Sequence, residues 1–284
     1  MPLRSTATAR QERLGIELRR MREAAGITAR ETAKLLGTDP GKVSHIESGR
    51  LGVSEERLRR LAAFYSCVDG DLIDALAAIT YEQRGQGWWE EYRGVVSLRL
   101  LDLAELEYRS TELSHFEVLH IPGLLQTEES ALAIFAYAVP ELPTPEVESR
   151  LAFRMHRQKV LDRDPSLPYE VIIHEAALRT KVGTTAIARA QLHHILTVSE
   201  RPNVTLRVVP FKVEGFGGTG FSMLYASGSV PQLDTVQIDA AHDCVFVNNH
   251  PQLAKYRLVL DKIRSASLSP GRSRDLIRQI AQDL

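Results

Sequence analysis

Lys42, Ser44, His45 and Arg50 bring an ammonium, a hydroxyl, an imidazole and a guanidinium into one short stretch of chain. Grouped in this way they suit recognition: cations and hydroxyls can donate to phosphate oxygens, and Ser and His can meet the edges of bases. They lie in the run Gly26 to Arg50, GITARETAKLLGTDPGKVSHIESGR, where Thr28, Arg30, Thr38 and Asp39 add polar groups at the starts of two expected helices. The candidate DNA-contacting set is therefore Thr28, Arg30, Thr38, Asp39, Lys42, Ser44, His45 and Arg50.

Two short helices and a tight turn must hold these residues. Thr28 is a good N-cap for a helix through Leu36, and Gly37 can end it in a left-handed conformation without a Cβ penalty. Thr38 or Asp39 caps the next helix, with Pro40 at a first position whose N–H would be orphaned anyway. Ala33 is small enough for a close helix crossing, and Val43 and Ile46 turn inward. The helical period then leaves Gly41, Lys42, Ser44, His45 and Ser48 outward or flanking. A small residue, then Gly four on, then an apolar residue six further is helix-turn-helix spacing. Glu47 is expected to pair with Arg19 or Arg20 of the first helix.

The stretches LGIELRRMREAAGIT and KVSHIESG, together with the helix pair, resemble the Xre or Cro/repressor-like helix-turn-helix family. That resemblance implies a five-helix, lambda-repressor-like DNA-binding domain. Ala29 and Pro40 stand where many members carry Gln, so Lys42, Ser44 and His45 are left as the candidates for readout.

Periodicity supplies the other helices of this domain. Gln11 to Ala25 carries Leu14, Leu18 and Met21 as a buried stripe; Ser54 caps a fourth helix with Leu58, Leu61 and Ala62 inward; Asp71 to Thr80 is a fifth. The charge pattern agrees with a phosphate-facing end. Residues 1–66 carry 13 Lys plus Arg against 8 Asp plus Glu, whereas the remainder carries 22 against 28. Residues 1–10 are expected to form a flexible arm.

The expected domains are 1–80 for DNA binding, 81–94 as a linker, and 95–284 as a signal-receiving and dimerising domain. The second is expected to be α+β with a largely antiparallel sheet: a helix Leu98 to Leu113, a short strand, a Pro122-Gly123 turn, helices from Thr127 and over Glu146 to Asp162, then YEVII, a helix Thr184 to Glu200, and the strands VTLRVVP, FSMLYA, TVQIDA and CVFV, with helices about Gln252 to Ser265 and Arg272 to Asp283 closing it.

Residues with catalytic or ligand potential in this part are weaker candidates. Gly215 to Gly220, GFGGTG, is followed by a strand where a phosphate loop needs a helix, so a hairpin or lid is favoured. His115, His120, His156, His174, His193, His194, His242 and His250 show no metal-pair spacing. The His174-Glu175 pair is expected to be a capped strand-to-helix junction. Arg150, Arg154 and Arg157 share a helix face that invites an anion but is expected to pair with local carboxylates. Trp88 and Trp89 could stack on a ligand or a base, but one ring covering an inter-domain seam is the favoured expectation. Cys67 and Cys244 lie far apart, as in a reduced cytosolic protein, and Cys244 is expected to be an inert buried thiol. No enzyme, cofactor or metal is expected, no apolar run spans a membrane, and the expected location is the cytoplasm.

WWEEY, VLHIPGLLQTEESALAIF, RLAFRMHRQKVL, HEAAL, RAQLHHIL, PNVTLRVVPF and SLSPGRS resemble the actinobacterial two-domain Xre regulators similar to WhiJ. These are also described as antitoxin-like, because a small partner protein is commonly encoded nearby. The resemblance implies a transcriptional regulator that binds double-stranded DNA as a homodimer, with a small-molecule effector or small protein partner for the second domain. The alternative is an antitoxin-like interaction protein that binds a small partner and regulates its own operon.

Overall fold

The structure, a computed structural model, describes residues 7–81, 86–139, 141–217, 220–240 and 244–284. The chain forms two units: Met1–Glu90 with Ser229–Leu233, and Glu91–Gly228 with Asp234–Leu284.

The N-terminal unit holds five helices, α1 (Ala9–Ala24), α2 (Ala29–Leu36), α3 (Pro40–Glu47), α4 (Glu55–Phe64) and α5 (Gly70–Thr80). Each starts at a side-chain cap: Thr8, Thr28, Asp39, Ser54 and Asp69 accept a backbone N–H in the first turn. Each cap is worth about 1 kcal/mol, which matters for helices of eight to sixteen residues that would not persist alone. Leu14, Leu18, Met21, Ile46, Leu58, Leu61, Leu72 and Leu76 form its core. Leu233 joins that core, and the same segment is bonded through Arg13 to the Gln232 carbonyl and through Gln232 Nε2 to Asp69 Oδ2 at 2.8 Å. This contribution from residues 229–233 carries no local sequence signal.

The C-terminal unit is built on one six-stranded sheet, β1 (Glu112–Glu117), β2 (Tyr169–His174), β3 (Val204–Val209), β4 (Met223–Ser227), β5 (Thr235–Asp239) and β6 (Cys244–Val247), in the order β3-β2-β1-β4-β5-β6. Three ladders are antiparallel, as expected for most of the sheet, but β1-β2 and β2-β3 are parallel. Helices between β1 and β2 and between β2 and β3 supply the long crossovers that parallel pairing demands. The crossover helices are α7 (Glu128–Phe135) and α8 (Thr144–Gln158), then α9 (Glu175–Arg179) and α10 (Thr185–Val198). Leu113, Val171, Leu206 and Leu224 pack on one face with Leu192, Ile195, Ile277 and Ile280, and Phe116, Ile172, Met223 and Val236 on the other with Leu253, Leu260 and Ile263. The last three residues come from α11 (His250–Ala266), as Ile277 and Ile280 come from α12 (Pro270–Asp283).

The helix α6 spans Leu98–Arg109, shorter than the expected Leu98 to Leu113. Glu112 and Leu113 instead begin β1, where Leu113 pairs with Tyr169 and Ala226 and is buried completely. The ladder partners override the helical period. Strand β1 is covered on both faces, so it shows no apolar-polar alternation to mark it.

Candidate nucleic-acid interface

The turn between α2 and α3 is made by Gly37 at φ 61°, ψ 41°, and its N–H bonds the Ala33 and Lys34 carbonyls. Ala33 and Val43 are both 2% exposed and Ile46 5%, filling the angle between the helices. With those three inward, Gly41, Lys42, Ser44, Ser48 and Arg50 are exposed and His45 is half-buried.

Asp39 is the cap of α3, accepting from the Lys42 amide at 2.9 Å, and that backbone bond holds its carboxyl below the usual range. Lys42 Nζ lies 3.8 Å from the same carboxylate, both side chains being about 60% exposed, a contact too solvated to restrain the ammonium. Thr38 is half-buried within the turn. At the other helix, Thr28 Oγ1 accepts from the Glu31 amide at 3.2 Å and donates to Glu31 Oε2 at 2.7 Å. Its only hydroxyl proton is thus engaged in the capping box. Arg30 is exposed one position into α2.

The orientation of α3 is set by α1. A Cβ on Gly15 would lie 2.5 Å from the Glu47 carbonyl oxygen, so the two backbones touch where any side chain would separate them. Gly49, at φ 72°, makes the reciprocal contact: a Cβ there would come within 2.7 Å of the Gln11 carbonyl. These two positions escaped the sequence reading. A glycine inside the helical pattern of α1 costs about 1 kcal/mol against Ala, and that local cost is the signal of a close approach.

Glu47 is structural, as expected, but its partner is Arg22 and not Arg19 or Arg20. Arg22 Nε and Nη2 meet Glu47 Oε1 and Oε2 at 2.6 and 2.9 Å, and Nη1 bonds the Ile27 carbonyl at 2.9 Å. The hydrogen bonds to Glu47 raise the guanidinium pKa despite burial. Arg19 pairs with Glu23 and Arg20 with Glu17, each on its own helix. Arg22 is the side chain in register with the end of α3.

The other candidates, most of them in the C-terminal unit, take structural roles. His174 caps α9, its Nδ1 accepting from the Ala176 amide at 3.2 Å, and Glu175 accepts from the Phe211 amide at 2.8 Å while pairing with Arg179. Burial lowers the His174 pKa. Arg150 pairs with Glu146 at 2.7 Å, as expected for a local partner, whereas Arg157 reaches Glu107 of α6 at 2.5 and 2.9 Å. His115 Nδ1 is 3.2 Å from the Tyr169 hydroxyl, and its Nε2 is 3.3 Å from Glu117 Oε1. Trp89 is buried against an edge-on Trp88. Cys244 is buried and Cys67 half-buried. Gly218 and Thr219 of the GFGGTG loop, and His242, lie outside the described residues. Among the described residues no helix is long and apolar enough to cross a membrane, and no group of three His, Cys, Asp or Glu is placed to hold a metal.

Residues 13–76 match a helix-turn-helix domain model, and residues 100–279 match a domain of unknown function, DUF5753. No curated protein and no solved structure matches the chain. The N-terminal helices form a helix-turn-helix DNA-binding domain, and the chain is a DNA-binding regulator.

Proposed function

Because the chain belongs to the DUF5753 family and carries a helix-turn-helix domain ahead of that region, we propose that it is a sequence-specific transcriptional regulator of the Xre type, similar to WhiJ. It acts in the cytoplasm without enzymatic activity of its own. Its second domain dimerises and receives a signal. The observation that carries this reading is the exposed polar face of α3, braced from behind by Gly15, Gly49 and the Arg22–Glu47 pair. On DNA, Lys42, Arg50 and Arg30 neutralise phosphates. Ser44 and His45 meet base edges in the major groove, while Thr28, Thr38 and Asp39 set the helix starts. Dimerisation follows from reach: an eight-residue recognition helix reads few base pairs, and two copies about 34 Å apart meet successive major grooves on one DNA face.

The test is a gel-shift titration on DNA from the chain's own upstream region, at two salt concentrations and against scrambled competitor. Selective, salt-sensitive binding with two half-sites protected is the expected result; binding without selectivity, or by a strict monomer, refutes it. The antitoxin-like alternative draws its support from β6, an edge strand whose Val245 is 51% exposed and open to strand pairing with a partner. Co-purification of a small protein that changes operator affinity would favour it.

A further inference from the structure

Three arginines share one face of α8, and only two of them meet a carboxylate. Arg150 has Glu146 and Arg157 has Glu107. Arg154 lies between them with no carboxylate in salt-bridge range among the described residues. Its Nη1 donates to Gln126 Oε1, and its guanidinium carbon sits 5.0 Å from the centre of the Phe135 ring. Burial, then the neighbouring Arg157 guanidinium, depresses its pKa to about 10. The Nε–Nη2 edge, the edge that takes a carboxylate side-on with two parallel hydrogen bonds, has no protein acceptor among the described residues. Arg154 as a whole is half-buried, so the side chain keeps some contact with solvent.

The side chain is held in place with unusual care. The turn Ile121–Thr127 beneath it is locked by three glutamines. Gln126 Nε2 bonds the Ile121 carbonyl at 2.7 Å; Gln158 bonds the Gly123 and Gln126 carbonyls at 3.0 and 2.8 Å; Gln191 bonds the Leu125 carbonyl at 2.6 Å and accepts from the Thr127 amide. A Cβ on Gly123 would come 3.3 Å from Arg154 Cδ, so the glycine lets the arginine lie flat on the turn. An arginine set on a turn braced in this way, with its fork edge open, is organised as a binding group is.

We infer that Arg154 anchors a ligand site in the C-terminal domain, taking the carboxylate of a small monocarboxylic acid on its Nε–Nη2 edge. This deepens the signal-receiving part of the function proposed above and rests on it. Charge decides the class. Besides Arg157, the charges that act on Arg154 are the carboxylates of Asp239 and Glu107 and the Arg150 guanidinium; Glu107 is already matched by Arg157, and Arg150 by Glu146. One free cation beside an acidic neighbour accommodates a single negative charge and disfavours a phosphate dianion.

The experiment uses the full chain and titrates acetate, benzoate, the neutral isostere benzamide, and inorganic phosphate by calorimetry and thermal melting. Saturable binding of benzoate or acetate, with benzamide inert and phosphate weaker, is the expected result. Arg154→Gln should weaken carboxylate binding about tenfold or more, and Arg154→Lys, which keeps the charge and loses the fork, should fall between. Equal binding of benzoate and benzamide, tighter binding of phosphate, no binding of either acid, or undiminished binding by Arg154→Gln each overturns the inference. Should Arg154→Gln fail to fold, the benzoate–benzamide comparison on the unaltered chain still decides. A gel shift on the same preparation separates the two readings: operator binding without carboxylate binding removes only this inference, whereas absent selective DNA binding removes the regulator reading.

Discussion

The N-terminal domain keeps the charges of its candidate interface in water, whereas the C-terminal domain takes its own inside. Lys42 and Arg50 are exposed, but Glu107 is 1% and Arg157 7% exposed, and His115 and Glu117 are buried beside them. The buried ions of the N-terminal domain that bear on α3, Arg22 and Glu47, stand behind the exposed face and not on it. A surface that meets a polyanion needs cations that are solvated and unpaired, since their contribution comes from displacing counterions. An interior charge needs a partner and in return fixes geometry. The same residue types therefore serve recognition in one domain and positioning in the other.

Removing a buried partner tests this difference most severely. Glu107→Gln leaves the Arg157 guanidinium in the interior without its carboxylate and should destabilise the C-terminal domain by about 3–5 kcal/mol, read by denaturant melts. A loss below about 1 kcal/mol would mean that this pair is as solvated as a surface pair. Gly15→Ala comes next. Its Cβ would meet the Glu47 carbonyl, so α1 and α3 must separate, at a cost of about 1–3 kcal/mol and with weaker DNA binding. An unchanged melt would show that helix propensity outweighs the contact.

On the exposed face the expected effects concern binding alone. His45→Ala should cost about 1–3 kcal/mol of discrimination at one base position. Lys42→Ala should weaken binding to all sequences alike and lower the salt slope by about one unit, with no change in melting. Competition titrations against scrambled DNA distinguish the two; an unchanged ratio of cognate to scrambled affinity for His45→Ala removes its readout role.

The smallest effect is a pH dependence confined to the C-terminal domain. Burial lowers the pKa values of His156, His174 and His194, so the folded state binds protons less readily than the unfolded chain there. Their contribution is present above about pH 6.5, the ordinary histidine value, and is lost as pH falls through the lowered folded values. His174→Asn keeps a capping acceptor for α9 and should reduce the slope of stability against pH below 6.5. An unaltered slope would assign the dependence to the other two histidines.

Much of the N-terminal domain was legible because its signals are local. Thr28, Gly37, Asp39 and Pro40 each act within a few residues of where they stand, and Leu14, Leu18 and Met21 repeat at the helical period. The strands from β2 onward were legible as apolar runs, and so were the helices between them, whose crossovers imply the parallel ladders that the expectation of a largely antiparallel sheet left unassigned. A short strand was expected after Leu113, but the start of β1 was not legible: Glu112 and Leu113 read as the end of α6.

By itself, the sequence determined the caps of α2 and α3 and the turn between them, the inward residues of the N-terminal helices and the exposed composition of α3, because caps, turns and periodicity depend on neighbours a few residues away. The tertiary structure decided which arginine meets Glu47, how closely Gly15 lets α1 approach α3, that residues 229–233 pack with the N-terminal helices, and which member of Arg150, Arg154 and Arg157 is left without a carboxylate. Those outcomes join residues tens to hundreds of positions apart. Several chemically equivalent partners compete for each, and only the packed backbone, by fixing distances to a few tenths of an ångström, selects among them.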